Sequence, residues 1–508
     1  MKKRLATMFI MLLSLVLIFA GCGSNDTSKS DAAKTKDKEK DKTEVTSGAS
    51  KTSYTDPSKL KDTYDIVIIG AGGAGMSAAL EAKAKGLNPV ILEKMPQAGG
   101  NTMKASSGMN ASETKFQKEQ GINDSNNKFY EETLKGGHGT NDKEMLRFFV
   151  DNSASAIDWL DSMDIKLNNL TITGGMSEKR THRPEDGSAV GKYLVDGLLK
   201  NVQEEKIPVF VNADVKEITQ KDGKVTGVKV KLNNKDEKTI SSDAVVVTTG
   251  GYGANKDMIE KERPDLKGYV TTNQEGSTGD GIKMIEKLGG TTVDMDQIQV
   301  HPTVQQEKSY LIGEAVRGEG AILVSQDGKR FGNELDTRDN VTASINKLPE
   351  KSAYLVFDAG VKDRVKAIAQ YDEMGFVEEG KTIDELASKI NVPKEELTKT
   401  IDTWNTSVKN KKDEAYGRTT AMDNDLSKAP YYAIKIGPGI HYTMGGVKIN
   451  TNTEVLDKDG KPITGLFAAG EVTGGLHGEN RIGGNSVAEI IIFGRQAGDK
   501  SAEFVKAQ

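Results

Sequence analysis

Two kinds of apolar run organise this chain. The first is short and continuous: Asp65 to Ile69 reads DIVII, and Pro89 to Leu92 reads PVIL. Apolar, branched runs of this length bounded by glycine or polar turns predict buried strands. Between them "GAGGAGMSAALEAKAKG" turns on glycines and then becomes alanine-rich, which predicts a helix, so the segment reads strand, glycine turn, helix, strand. Two more strands run into glycine turns, "DAVVVTTGGYGAN" from Asp243 and "GLFAAGEVTGGLHGENRIGGNS" from Gly465. The second kind of run is the apolar stretch from Met8 to Ala20, preceded by Lys2, Lys3 and Arg4. It is shorter than the roughly 20 residues needed to cross a bilayer, which makes a secretory signal the better reading. Residues 23–53 are the opposite case, with no aromatic, no Leu, no Ile and Val45 as their one branched aliphatic. Such a stretch buries too little apolar area to offset its ordering entropy and reads as a solvated tether.

The length of 508 residues predicts two domains plus accessories, and 54 glycines with 36% hydrophobic residues suit an α/β protein rich in glycine turns. The formal charge of -5 argues against a nucleic-acid partner. Cys22 is the only cysteine, so a mature chain has no internal disulfide, no cysteine-ligated metal and no c-type haem; no metal site is expected. Phe19-Ala20-Gly21-Cys22 resembles a bacterial lipobox, although Leu is more usual at the first position. Its use would place Cys22 under a lipid anchor on the outer face of a cell membrane; a cleaved signal with a bystander cysteine is the alternative.

Gly70, Gly72 and Gly75 form GxGxxG directly after the first strand, with Ala74 between the last two. Glycines there permit a tight turn and close backbone approach to a pyrophosphate at the positive end of the helix. Glu93 closes the second strand, where an acid accepts hydrogen bonds from ribose hydroxyls. A nicotinamide enzyme needs no second and third glycine crossing, whereas an extended FAD does, so FAD is the expected cofactor.

The motifs "GGNTMKASSGMNAS", "THRP", "TNQEGSTGDG", "HPT", "GEAVRGEGAILV", "GKRFGNELDTRD", "HYTMGGV" and "GEVTGGLHGENRIGGNS" follow one another between residues 62 and 505. In this order they resemble the flavoprotein part of soluble fumarate reductases of the flavocytochrome c type, within the succinate dehydrogenase and fumarate reductase superfamily. With no CxxCH, the chain looks more like haem-free extracellular lipoprotein fumarate reductases of Gram-positive bacteria. The resemblance implies an α/β fold: an FAD-binding Rossmann-like domain built from residues 61–303 and 436–508, with an inserted α+β capping domain at 304–435. Residues 1–21 are then the signal peptide and 22–60 the tether.

By the same resemblance FAD contacts add Asn101, Thr102, Ser106, Ser107, Val215, Asp280, Glu471, Ser486 and Val487, and the absence of His in "GGNTMKASSGMNA" implies noncovalent FAD. His301, His441 and Arg481 would hold a dicarboxylate as positive groups, Arg338 would donate a proton, and Glu314 and Arg317 would return it. A structural ion pair holding the "RGEG" turn is the plainer reading of Glu314 and Arg317. Gly313 stands where relatives carry Thr and Leu311 where Met is usual, which implies a slightly larger pocket. Fumarate is the expected substrate, with urocanate or another α,β-unsaturated acid as the alternative. In the tether, "EVTSGASKTS" resembles a flavinylation motif with Ser50 as the acceptor of a covalent FMN, although Glu44 replaces the usual Asp; a plain flexible linker has the same small residues. A membrane-side electron donor or a flavin-transfer enzyme would then be the partner. The rival classes are a steroid dehydrogenase of the same fold and a non-catalytic electron carrier or solute-binding lipoprotein.

Overall fold

The computed structural model describes residues 54–235 and 237–508. The first strand runs Thr63–Ile69 and the second Pro89–Leu92, with helix Gly73–Ala84 between them. Thr63–Ile69 pairs in parallel with Pro89–Leu92 on one side and with Glu237–Val247 on the other. Val209–Phe210 and Pro462–Ala468 extend the parallel array at its two ends. Where they are buried on both faces, at residues 66–69, 89–92 and 244–247, these strands read as continuous apolar runs. Helix Asn485–Lys506 lies close on Gly73–Ala84 because Gly494 and Gly498 stand where a Cβ would meet the carbonyl oxygens of Ala74 at 2.6 Å and Ala78 at 2.3 Å.

Three of the parallel strands end at Ile69, Val247 and Ala468, and each runs into a glycine with positive φ: Gly70, Gly250 and Gly470. The carboxyl ends of parallel strands are where open α/β sheets bind ligands, so sequence-distant glycines converge on one crevice.

A second apolar core gathers buried residues from Ile312 to Ile436. Its strands Ile322–Val324 and Ala353–Asp358 and its helices Arg338–Asn346 and Lys394–Lys409 make an α+β layer. One long strand, Tyr431–Thr443, joins the two regions: residues Tyr431 to Ile436 pair with Ala353–Asp358, and Gly437 to Thr443 with Ile298–Gln305.

From sequence the tether is expected to run to residue 60, and here the structure differs. The Tyr54 hydroxyl accepts the Ala98 N–H at 2.9 Å, Thr55 N–H donates to Val209 O at 2.9 Å, and Leu60 is buried in the core. An aromatic ring at Tyr54 supplies the apolar area that residues 23–53 lack. Cys22 and Ser50 lie outside the described residues.

Candidate active site

The glycine turns line a cleft whose walls include Gly70, Gly72, Ala74, Glu93, Asn101, Thr102, Val215, Asp280 and Glu471. A second cleft shares Asn101, Thr102, Glu471 and Ile490 with the first and continues past Ser106, Ser107, Ser486 and Val487 to Arg338, His441 and Arg481. The two make one trough from the glycine turns to the buried arginines. Gly75 alone among the expected cofactor residues does not line it; a Cβ there would lie 2.0 Å from Gly70 O and 2.7 Å from Thr248 Oγ1. Gly75 therefore works by letting the helix seat against the strand turn.

An FAD fits this donor set. At Gly72 an added Cβ would meet only Thr102 Oγ1, at 3.8 Å, so the backbone is open to the cleft. Glu93 accepts the N–H groups of Ala71 and Met95 at 2.8 Å each, which fixes the turn and leaves further lone pairs on a cleft-lining carboxylate. Asp280 is turned to Lys94 Nζ at 2.6 Å. Burial pushes the Glu471 carboxyl up to about 7, against hydrogen bonds from Thr443 and Asn101. Gly75→Ala is expected to push backbone against backbone at a cost of about 3 kcal/mol, weakening FAD binding roughly 100-fold. Flavin absorbance per mole of purified protein measures it.

At the far end of the trough the two histidines arrive by strand pairing. Gln299 pairs with Tyr442 and Val300 with Ile440, which leaves His441 as the extra residue of a β-bulge. Bulges re-aim a side chain, and here the His441 ring meets the His301 ring edge-on with centroids 5.3 Å apart. Thr272 Oγ1 stands 2.8 Å from His441 Nδ1. His301 Nδ1 accepts the Thr303 N–H at 3.2 Å, so in the neutral ring the proton sits on Nε2, a buried donor with no partner among the described residues. Arg481 stacks on the Tyr442 ring at 4.2 Å, and its buried Nε also has no partner among them. Buried donors are rarely left unpaired, and two of them here suit an anion.

Glu314 lies between two guanidiniums. Arg338 Nε donates to its Oε1 at 2.8 Å, Arg317 Nη2 stands 3.6 Å from the same oxygen, and Thr173 Oγ1 donates to Oε2 at 2.9 Å. Burial works against the Glu314 charge, but the charge and hydrogen bond of Arg338, then Arg317, hold the carboxyl well below its usual range. A Cβ on Gly483 would stand 2.4 Å from Glu314 Oε2 and 3.0 Å from Arg338 Nη2, so the "RIGGN" glycine leaves the room this pair occupies.

Gln299, which the motifs do not reveal, ties the site together. Its Oε1 accepts from Arg338 Nη1 at 2.8 Å and from Arg481 Nη2 at 3.0 Å, and its Nε2 donates to Arg481 O at 2.6 Å. It stands two residues before His301 on the same strand, and that period-two spacing is the signal that could have found it.

The electrostatics correct one sequence expectation. Burial first, then the neighbouring charge of Arg338 for His301, and of Arg338 and Arg481 for His441, drive both imidazoles well below their ordinary range. They are neutral donors; the cations lining the cleft are Lys104, Arg338 and Arg481, with Arg317 behind Glu314. Burial and then the Arg338 charge bring Arg481 down to about 10.

A pH dependence of stability follows. Burial lowers His182 to about 4, so with His301 and His441 three imidazoles bind protons in the unfolded chain below about pH 6.5 but not in the folded one. The unfolded state then holds more protons, and stability falls as pH drops through that window. His182 alone contributes about 3 kcal/mol of this loss between pH 6.5 and 4. Glu471, raised by burial from 4.5 to about 7, holds an extra proton in the folded state and opposes the fall across that whole range. Thermal melts from pH 7.5 to 4.5 should show a steady fall in Tm, and His182→Phe, which cannot titrate, should flatten it.

The family profile described as FAD binding domain matches residues 65–487. The chain is 51% identical over 441 residues to the NADH:fumarate oxidoreductase of Klebsiella pneumoniae (strain 342), covering 87% of this chain and 48% of that one, so it spans about half the length of that relative. It is 40% identical over 446 residues to the fumarate reductase (cytochrome) of Shewanella frigidimarina, covering 88% of this chain and 78% of the relative. A solved structure of a flavocytochrome c3 fumarate reductase in an open conformation superposes with a TM-score of 0.75 at 40% identity, over 88% of this chain and 79% of that one.

Proposed function

Because this chain belongs to the FAD-binding flavoprotein family of fumarate reductases and succinate dehydrogenases, we propose that it reduces fumarate to succinate. The chain is an FAD-binding oxidoreductase. The observation that carries the substrate is the end of the trough, where Arg338, His441 and Arg481 line one cleft and the donors His301 Nε2 and Arg481 Nε are buried without partners among the described residues. A doubly negative, planar acid supplies the missing acceptors.

Bound FAD in its reduced form supplies the hydride. Arg481 and the two histidines hold the carboxylates, Arg481 as a planar fork that keeps its charge when desolvated. Fixed donors around the substrate stabilise charge that develops on the carboxylate side as the double bond is reduced. Arg338 gives a proton to the second alkene carbon, which completes succinate. Its Nε already rests on Glu314 at 2.8 Å, so a proton taken from solvent through Arg317 and Glu314 restores the guanidinium. A carboxylate between two cations passes that proton without an uncompensated buried charge.

At Gly313 the expected larger pocket is small in extent. Ser106 Oγ and Tyr371 Oη come within 3.3 and 3.5 Å of where a Cβ would stand, so the room gained is that of a small side chain. This favours fumarate over the bulkier urocanate. The capping of the site by residues 304–435, the lipid anchor at Cys22 on the outer membrane face, the FMN at Ser50 and a membrane-side donor are parts of the same reading that rest on sequence. Mass spectrometry of the native protein tests the last group: a peptide holding Ser50 without an FMN-sized adduct removes the flavinylation. For the reaction itself, the dithionite-reduced holoenzyme should be reoxidised rapidly by fumarate and slowly or not at all by urocanate or acrylate. Equal rates with all three would overturn the substrate assignment.

A further inference from the structure

Arg317 is held by a part of the chain that no motif singles out. It is the third residue of a helix of a single turn, Ala315–Gly318, with Glu314 as the N-cap residue. One turn does not hold itself in water, because nucleation fixes several residues for one hydrogen bond. The amides that follow cap its carbonyls, Glu319 N–H on Ala315 O, Ala321 N–H on Val316 O and Gly320 N–H on Arg317 O. Arg418, fully buried, ties this turn to the chain around it. Its Nη2 donates to Arg317 O at 2.8 Å and its Nη1 to Ala321 O at 3.1 Å. The remaining donors go to Glu334 Oε2 at 3.2 Å, Thr420 O at 3.1 Å and Ala421 O at 3.0 Å, so all five N–H groups are used.

Glu334 closes the arrangement. Its carboxylate is buried and accepts from Arg330 Nε at 2.7 Å as well as from Arg418, while its backbone oxygen accepts Arg317 Nη1 at 2.6 Å. Asp413 balances Arg330 from the other side at 2.9 Å, and the Trp404 ring lies against Arg330 at 4.6 Å and Arg418 at 4.7 Å. The Glu334 carboxylate makes no hydrogen bond to Arg317. The cluster therefore holds Arg317 in place and does not extend the proton path.

We propose that Arg418, seated on Glu334, is a positioning residue for proton return: it clamps the Arg317 turn so that the Arg317 guanidinium faces Glu314 at 3.6 Å. The inference rests on the fumarate reductase reading above. In each turnover one proton passes from solvent to Arg317, on to Glu314, and from there to the guanidinium that has given its proton to substrate. The positive charge of Arg418 also adds to burial and to Arg338 in bringing Arg317 down to about 10, which eases proton release.

The test separates the first turnover from later ones. In the reduced wild-type holoenzyme Arg338 is already protonated, so the first reoxidation by fumarate needs no proton return. Arg418→Lys and, as a second variant, Glu334→Gln, each compared at a temperature where flavin absorbance shows it folded, are expected to keep the first-turnover rate within about twofold of wild type. Steady-state kcat should fall tenfold or more with Arg418→Lys, with an enlarged solvent deuterium isotope effect and KM for fumarate changed less than twofold. Hydrogen exchange of the 317–321 amides should speed up in the same samples. Arg317→Met, run alongside, should show the same burst. If the wild type does not reduce fumarate, the functional reading fails; if Arg317→Met shows no burst, the proton path fails. A burst in Arg317→Met without one in either Arg418→Lys or Glu334→Gln overturns the positioning role alone.

Discussion

Arg338→Ala is expected to leave FAD bound and to lower fumarate turnover by about a thousandfold, within the roughly 10²–10⁴-fold that a positioned general acid contributes. FAD stays because Arg338 lines only the far cleft, away from the glycine turns. Stability should also fall. Glu314 would keep Thr173 and the Arg317 guanidinium at 3.6 Å but lose its closest cation, and breaking a buried ion pair costs up to about 3–5 kcal/mol. The variant is therefore compared at a temperature where its flavin absorbance shows it folded. Turnover within tenfold of wild type, with FAD stoichiometric, would remove Arg338 as the proton donor.

Arg481→Met should fail differently. Met fills much of the space on the Tyr442 ring but offers no donor to a carboxylate. Each hydrogen bond to a charged group is worth about 1.5–3 kcal/mol, so losing two should raise KM for fumarate by about 100-fold or more. The effect on kcat should be smaller than with Arg338→Ala, because the Arg338 to Glu314 pair at 2.8 Å is untouched. Gln299 gives a graded version: Gln299→Leu frees both guanidiniums from their shared acceptor and should weaken substrate binding without removing either charge. An Arg481→Met enzyme with unchanged KM would place the carboxylate clamp elsewhere. The split between kcat for one arginine and KM for the other is what distinguishes chemistry from binding here.

Much of the nucleotide half was legible because its glycines are demanded by sterics. Gly70 takes a positive φ, and Gly75 has a carbonyl oxygen 2.0 Å from any Cβ, so the spacing of the motif carries the geometry. The substrate half was legible only through resemblance. Nothing in the spacing of His301 and His441 says they meet; an antiparallel pairing with a bulge at His441 brings them together. Their charge state was beyond reach as well, since it depends on burial among guanidiniums gathered from other segments. Arg418 stands in an irregular segment with no periodicity, and its five acceptors come from three separate stretches of chain. The ordered placement of residues 54–60 was not legible, since the tether was read to residue 60; it rests on contacts with distant segments, Tyr54 with Ala98 and Thr55 with Val209.

The central claim is that one trough carries FAD from the glycine turns to a group of buried arginines that grips a dicarboxylate. A crystal structure of the holoenzyme with FAD and malonate, a dicarboxylate that cannot be reduced, tests it most directly. It should show the flavin ring beside Asn101, Thr102 and Glu471, with malonate oxygens within 3.2 Å of Arg481 Nε and His301 Nε2. Malonate bound away from Arg338, His441 and Arg481, or a flavin ring turned out of the shared cleft, would contradict it.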